Sequence, residues 1–247
     1  TRRLIVLTAA SDNFVIDGFT ITAGMASFSA DGGAINNIGA NNVMVSNCNF
    51  FRNGGHRNGG SIYALPAHNG QMTIESCVFE ENFSLSGGAV FHHAFGASNT
   101  VYIKKSIFLN NTATSAGAAI YSLAFGSING NLNVDANEFV GNNARSGGAI
   151  YANVQSSATL DVLLTNSLFN GNIAEDNSAD VGNSGSAAWL RTIGASSTLN
   201  SSIVNNTFVN NIDAGSATGL NNFTRATLAL TKDNAAATHN ATVSNNI

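Results

Sequence analysis

The chain has 247 residues, 10% of them charged, and a net charge of −4. No Lys/Arg block offers a nucleic-acid surface, no apolar run reaches the roughly 20 residues of a membrane-crossing helix, and two cysteines allow at most one disulfide. With one proline and so few charges, the surface has to be made of Asn, Ser, Thr and Gly, a composition that suits an exported protein.

In chain order, residues 4–8 (LIVLT) read as an apolar strand, and FVIDGF (14–19) leads into Phe19. From there three pieces recur. A glycine corner appears as DGGAI (31–35), NGGSI (58–62), SGGAV (86–90), AGAAI (116–120) and SGGAI (146–150). A stretch alternating apolar and other residues follows, as VMV (43–45), MTI (72–74), VYI (101–103) and LNV (132–134), with the period of a half-buried strand. The third piece reads x-F-x-x-N: NFFRN (49–53), VFEEN (78–82), IFLNN (107–111), EFVGN (138–142), LFNGN (168–172) and TFVNN (207–211). Its phenylalanines, Phe50, Phe79, Phe108, Phe139, Phe169 and Phe208, are separated by 29, 29, 31, 30 and 39 residues. Phe19 lies 31 residues before Phe50, and Ile247 lies 39 after Phe208, in the place expected for the next Phe. The last two units lose the glycine pair (SAAWL, ATGLN).

A unit of ~30 residues repeated about seven times, with no amphipathic helix, spells a solenoid. The expected fold is all-β: a single-stranded parallel β-helix occupying residues 1–247 as one domain, with three short strands per turn. Each strand pairs with its equivalent one turn on, ~4.8 Å away, and the general rule for parallel crossovers makes the helix right-handed. Equivalent residues then stack as columns. Phe19, Phe50, Phe79, Phe108, Phe139, Phe169 and Phe208 are expected to fill the interior. Asn53, Asn82, Asn111, Asn142, Asn172 and Asn211 form a turn column, because Asn tolerates left-handed backbone and its amide can bond up and down a stack. The glycines permit a sharp corner.

The alternation of GGAI/GGSI/GGAV with F-x-x-N resembles the repeat of chlamydial-type polymorphic outer-membrane proteins, and more broadly the right-handed β-helices of bacterial surface proteins. The resemblance covers nearly the whole chain. It implies an extracellular passenger region concerned with adhesion, although no outer-membrane barrel is recognisable in this sequence.

Several columns bear on chemistry. Cys48 and Cys77 lie two residues before their Phe on adjacent turns, close enough in principle for a disulfide; the alternative is two buried thiols in a column of small side chains. Glu75, Lys104 and Asp135 make a column of alternating sign, and Arg52 and Glu81 another, which suit register-matching surface ion pairs better than an acid/base site. Glu175, Asp176 and Asp180 lie in an insertion; their oxygens can serve as Ca²⁺ ligands or form a solvated acidic loop. His92 and His93 point to opposite faces of a strand. Tyr63, Phe91, Tyr121 and Tyr151 follow the inward aliphatic on four successive turns, so by parity they face outward. They form either an exposed contact stripe or a satellite core under the neighbouring loops.

The leading expectation is a non-enzymatic extracellular rod, structural or adhesive, part of a surface stalk or self-assembling filament, and needing no cofactor. A carbohydrate-binding or polysaccharide-degrading β-helix is the alternative, since that chemistry also uses this architecture. The expected partners are another copy joined end to end or the continuation of a longer solenoid, with a glycan or cell-surface receptor on the flank. The two ends read as uncapped, because LIVLT opens strand-like and TVSNNI (242–247) closes without a helix or charged run.

Overall fold

The structure, a computed structural model, describes residues 3–28, 30–96, 98–175, 185–214 and 226–247. The chain winds as a parallel β-solenoid. Each turn crosses four parallel sheets, one more than the three strands expected. In one central turn the strands are Val90–Phe95 (sheet 1), Asn99–Lys104 (sheet 2), Ile107–Leu109 (sheet 3) and Thr112–Ala116 (sheet 4). Among the described residues sheets 1 and 2 hold eight strands and sheets 3 and 4 seven. The extra strand is short, two to five residues after the column Asn. It breaks register between Ala113 and Ala116 and has no long apolar alternation to announce it.

Strict register makes the columns real. Phe79 pairs with Phe50 on one side and Phe108 on the other. Phe50, Phe79, Phe108, Phe139 and Phe169 are wholly buried, and with half-buried Phe208 they stack face to face at 4.6–5.0 Å. Phe19 is not among them: it is 61% exposed. The strand Thr20–Thr22 pairs with Asn49–Phe51 so that Ile21 opposes Phe50. An aliphatic residue fills the aromatic site of that turn, and Phe19, two residues early, falls in the column of Cys48. Ile247 is likewise one position short. Its N–H bonds to the Asn206 carbonyl and its carbonyl accepts from Phe208 N, which sets it opposite Thr207 with its side chain in solvent.

The Asn column is a hydrogen-bond ladder. Asn111 shows the pattern: its Oδ1 accepts from the backbone N–H and the side-chain amide of Asn82, at 3.0 and 2.9 Å. Its own amide donates to the Phe79 carbonyl at 2.9 Å and to Asn142 Oδ1 at 3.0 Å. The left-handed backbone falls not on these residues but one earlier, at Arg52, Glu81, Asn110, Gly141, Gly171 and Asn210.

A second left-handed column turns sheet 2 into sheet 3, at Asn47, Ser76, Lys105, Ala136, Asn166, Asn205 and Asn245, with φ of 50–57°. Side chains carry this conformation at roughly 1–2 kcal/mol. Ala136, without a polar side chain to bond locally, carries it least well. Ala136→Gly should therefore raise stability by about 0.5–1 kcal/mol, the relief outweighing glycine's extra unfolded-state entropy. A lowered urea midpoint for Ala136→Gly would contradict this.

The third corner explains the paired glycines. The first takes positive φ, from 57° at Gly147 to 68° at Gly32. The second has no left-handed requirement. At Gly88 a Cβ would collide with the carbonyl oxygens of Ala118 one turn on and Thr112 in sheet 4. Backbone runs directly against backbone there, and only the smallest residues fit. Ala118 occupies the second position in its own turn by packing into a small cluster with Ala113 and Ala144. Gly185 shows that one glycine of the pair persists in the next turn, while ATGLN lies outside the described residues.

Candidate functional site

Sheet 1 carries the most unusual surface of the rod. Tyr63, Phe91, Tyr121 and Tyr151 lie in register on its outer side. Their rings stack along the axis, 5.7, 4.7 and 4.9 Å apart. Trp189 continues the column as Tyr151's strand partner. Its ring meets Tyr151 edge-on at 5.1 Å. The stripe is not a free contact surface: Tyr63, Phe91, Tyr151 and Trp189 are buried and Tyr121 is half-buried. Ala116, the last residue of sheet 4 in its turn, packs with Tyr121, Tyr151 and Trp189 in a satellite core. Parity tells which side of a sheet a residue takes, but not that the end of a neighbouring sheet closes over it.

The polar ends of these rings are met by the residue two positions further along the strand one turn later. Tyr63 Oη bonds His93 Nδ1 at 2.5 Å. Arg191 Nη1 donates to Tyr151 Oη at 3.4 Å, and Trp189 Nε1 donates to Thr231 Oγ1 at 2.7 Å. Phe91, which has no polar end, has Leu123 at that place. Arg191 is itself held by Asp233 at 2.8 Å and lies 5.0 Å over the Trp189 ring. Burial raises the phenol pKa of Tyr63, Tyr121 and Tyr151 above the ordinary tyrosine value, so all three are neutral hydrogen-bonding groups. Phe91 lies face to face with Tyr63 and Tyr121, whereas Tyr151 is tilted by 46° against Tyr121. Further out on the same sheet Ile38, Phe95 and Phe125 remain 44%, 51% and 38% exposed.

His92 and His93 take opposite sides of the strand. His92 is wholly buried, with Nδ1 on Ser122 Oγ at 2.9 Å and Nε2 on Asn99 Oδ1 at 2.8 Å. His93 sits beside Phe91 and stacks on Phe95 at 5.3 Å.

Residues 105–123 match the model of the Chlamydia polymorphic membrane protein (Chlamydia_PMP) repeat. Over these residues the chain is similar to a polymorphic-membrane-protein repeat. That stretch includes Phe108 of the core stack, Asn111 of the ladder, Gly117 of the left-handed corner and Tyr121 of the aromatic column. No curated protein and no solved structure matches the chain. Among the described residues no helix is long and apolar enough to cross a membrane, a statement that does not bear on β-barrels.

The remaining columns resolve one by one. Glu75 bridges Lys104 at 3.1 Å and Lys105 at 3.2 Å, and these partners, Lys104 first, hold its carboxyl below the usual range. Asp135 accepts from Thr165 Oγ1 and Asn166 Nδ2, both at 2.7 Å. Arg52 and Glu81 pair at 2.6 Å on the surface. Glu175 Oε1 accepts from Asn143 at 2.7 Å; Asp176 and Asp180 lie outside the described residues. Among the described residues no three His, Cys, Asp or Glu side chains gather as a metal site.

Cys48 and Cys77 are free and buried. Their column is a second ladder that the sequence reading missed: Cys77 N donates to Ser106 Oγ, Ser106 N to Asn137 Oδ1, Asn137 N to Ser167 Oγ and Ser167 N to Asn206 Oδ1. The recurring Ser and Asn two residues before each Phe were the available signal. Burial pushes the Cys77 thiol up to about 12. Since the thiolate is the nucleophile, native protein at pH 8 should leave Cys77 unmodified by iodoacetamide over hours, whereas in urea it should react fully. Mass spectrometry showing rapid native labelling would overturn that placement.

Proposed function

We propose that the chain is a surface-displayed structural rod that works by contact rather than by catalysis. One observation carries the reading: the segment matching the polymorphic-membrane-protein repeat spends its Phe108, Asn111 and Gly117 on propagating the turn, and the same columns run on into neighbouring turns. A repeat built this way makes length and display, and the similarity of residues 105–123 to a membrane-protein repeat supports the surface reading. The adhesive part of the proposal rests on Ile38, Phe95 and Phe125, apolar groups held in solvent on a rigid sheet, where a receptor or glycan can be met. Strand addition at an outermost turn, from a second copy or from further polypeptide, would continue the same ladders; the stalk and filament forms of the proposal both use it. No cofactor enters the reading. The carbohydrate alternative gains little from the aromatic column, because stacking on a sugar ring needs an exposed aromatic face and these rings are buried or half-buried.

Two measurements test the proposal. Antibodies against the folded rod should label intact cells of the source organism, and labelling only after lysis would contradict surface display. Beads coated with the rod should adhere to target cells or glycan-coated surfaces, and Phe95→Ser with Phe125→Ser should reduce adhesion several-fold without changing the melting temperature. Undiminished adhesion would remove the contact role of that face.

A further inference from the structure

We infer that His92 and His93 form an acid-sensitive latch on the strand Val90–Phe95: when they take up protons, that turn loosens and uncovers the aromatic column beside it.

The latch is built from the neutral forms of two neighbouring imidazoles. Asn99 turns its amide toward the Pro66 and His93 carbonyls, at 3.3 and 3.1 Å, so its Oδ1 faces His92 Nε2. Nε2 therefore carries the proton, and Nδ1 accepts from the Ser122 hydroxyl. A second proton on Nδ1 would force that hydroxyl to turn and would place a full charge in the interior of the solenoid. The strands on either side present Ala64 and Ser122 to His92, and neither is a counter-charge. The one charged group acting on His92 is His93 itself, and it repels.

His93, on the outer side, bonds Tyr63 and lies between Phe91 and Phe95. The charge it feels is that of Arg57, again of like sign. Asp31, the carboxylate that acts on Tyr63, is taken up by Asn58 at 3.0 Å and Arg57 at 4.0 Å. Burial first, and like charge second for His93, hold both imidazoles down at about 4 against an ordinary 6.5. An unfolded chain would bind these protons below about pH 6.5 and the folded chain only near 4. Stability is therefore complete above pH 6.5 and falls as the pH drops toward 4. At pH 5 each imidazole shifts the folding equilibrium about 30-fold toward the open form. Loss at one turn is felt by its neighbours, because each turn of a solenoid is held by the next. Tyr63 loses its partner at His93, and Phe91 is carried on the same strand.

The test compares urea unfolding of the wild-type chain with that of His92→Gln/His93→Gln at pH 7 and pH 5, with His68→Gln, an exposed histidine, as control. The wild type and the control should lose a folding constant of about 10³ between the two pH values. The double variant should keep only the smaller share that belongs to His239, which burial also lowers. Carboxylates such as Asp17 and Glu75, held below their usual range, titrate beneath this window. Equal pH dependence in wild type and double variant would overturn the latch. Should the double variant not fold at pH 7, an NMR titration of the five wild-type imidazoles decides the matter. Resonances of His92 and His93 with midpoints below pH 5, and cleavage by an acid-tolerant protease near this strand at pH 5, support the latch. Midpoints near 6.5 for all five refute it.

Discussion

Phe108→Ala should destabilise the rod by about 3–5 kcal/mol, the cost of truncating a large, fully buried aromatic. The side chain is wholly buried between Phe79, at 4.8 Å and 4° from parallel, and Phe139, at 5.0 Å and 11°. Its loss removes apolar burial, two ring contacts and the packing that holds Phe79 and Phe139 upright, and leaves a cavity that rigid strands on both sides cannot close. At roughly 2–4 °C per kcal/mol for a chain of this size, the melting midpoint should fall by about 10 °C. The position is central, so the variant should also melt less cooperatively, the two halves beginning to separate. Unchanged melting would show that Phe108 is not part of a core column.

Asn111→Ala should cost about 1–3 kcal/mol. The substitution leaves the buried Asn82 N–H without a partner, an orphaned group that costs about that much, and it takes from the Phe79 carbonyl one donor beside its strand partner. It also breaks the side-chain chain from Asn82 to Asn142. Asn133→Ala, on the outer face of sheet 2, offers the contrast: an exposed-side substitution within about 0.5 kcal/mol. Comparable urea midpoints for the two variants would mean that the ladder is ornamental.

Much of this architecture is legible in the residues because a solenoid writes its third dimension into one. Once the period is known, a residue's neighbours are those about 30 positions away, and the Phe, Asn and alternating columns follow from spacing alone. The parts that are hard to read are those where spacing is the wrong guide. Phe19 has the right type two residues from the right place, and Ile21 has the right place with a different type. The fourth strand is too short to show a period. Trp189 aligns with Tyr151 once GSAAW is set beneath GGAIY, but the missing second glycine hides the alignment. The cover over the aromatic column depends on how sheet 4 meets sheet 1, an angle that no single turn of sequence records. The candidate site is therefore half legible: its residues stand out by repetition, and their burial, their hydrogen-bond partners one turn on and the neutral histidine pair required coordinates.

The central claim is the register itself, one turn every ~4.8 Å with Thr73, Tyr102, Asn133, Leu163, Ser202 and Thr242 in one outward column. Pulsed electron spin resonance between nitroxides at Thr73 and Ser202, four turns apart, should give a narrow distance near 19 Å, shifted only by label geometry. Moving the second label to Thr242 should lengthen it by ~4.8 Å. Broad distributions, or no one-turn increment between the two pairs, would contradict the register.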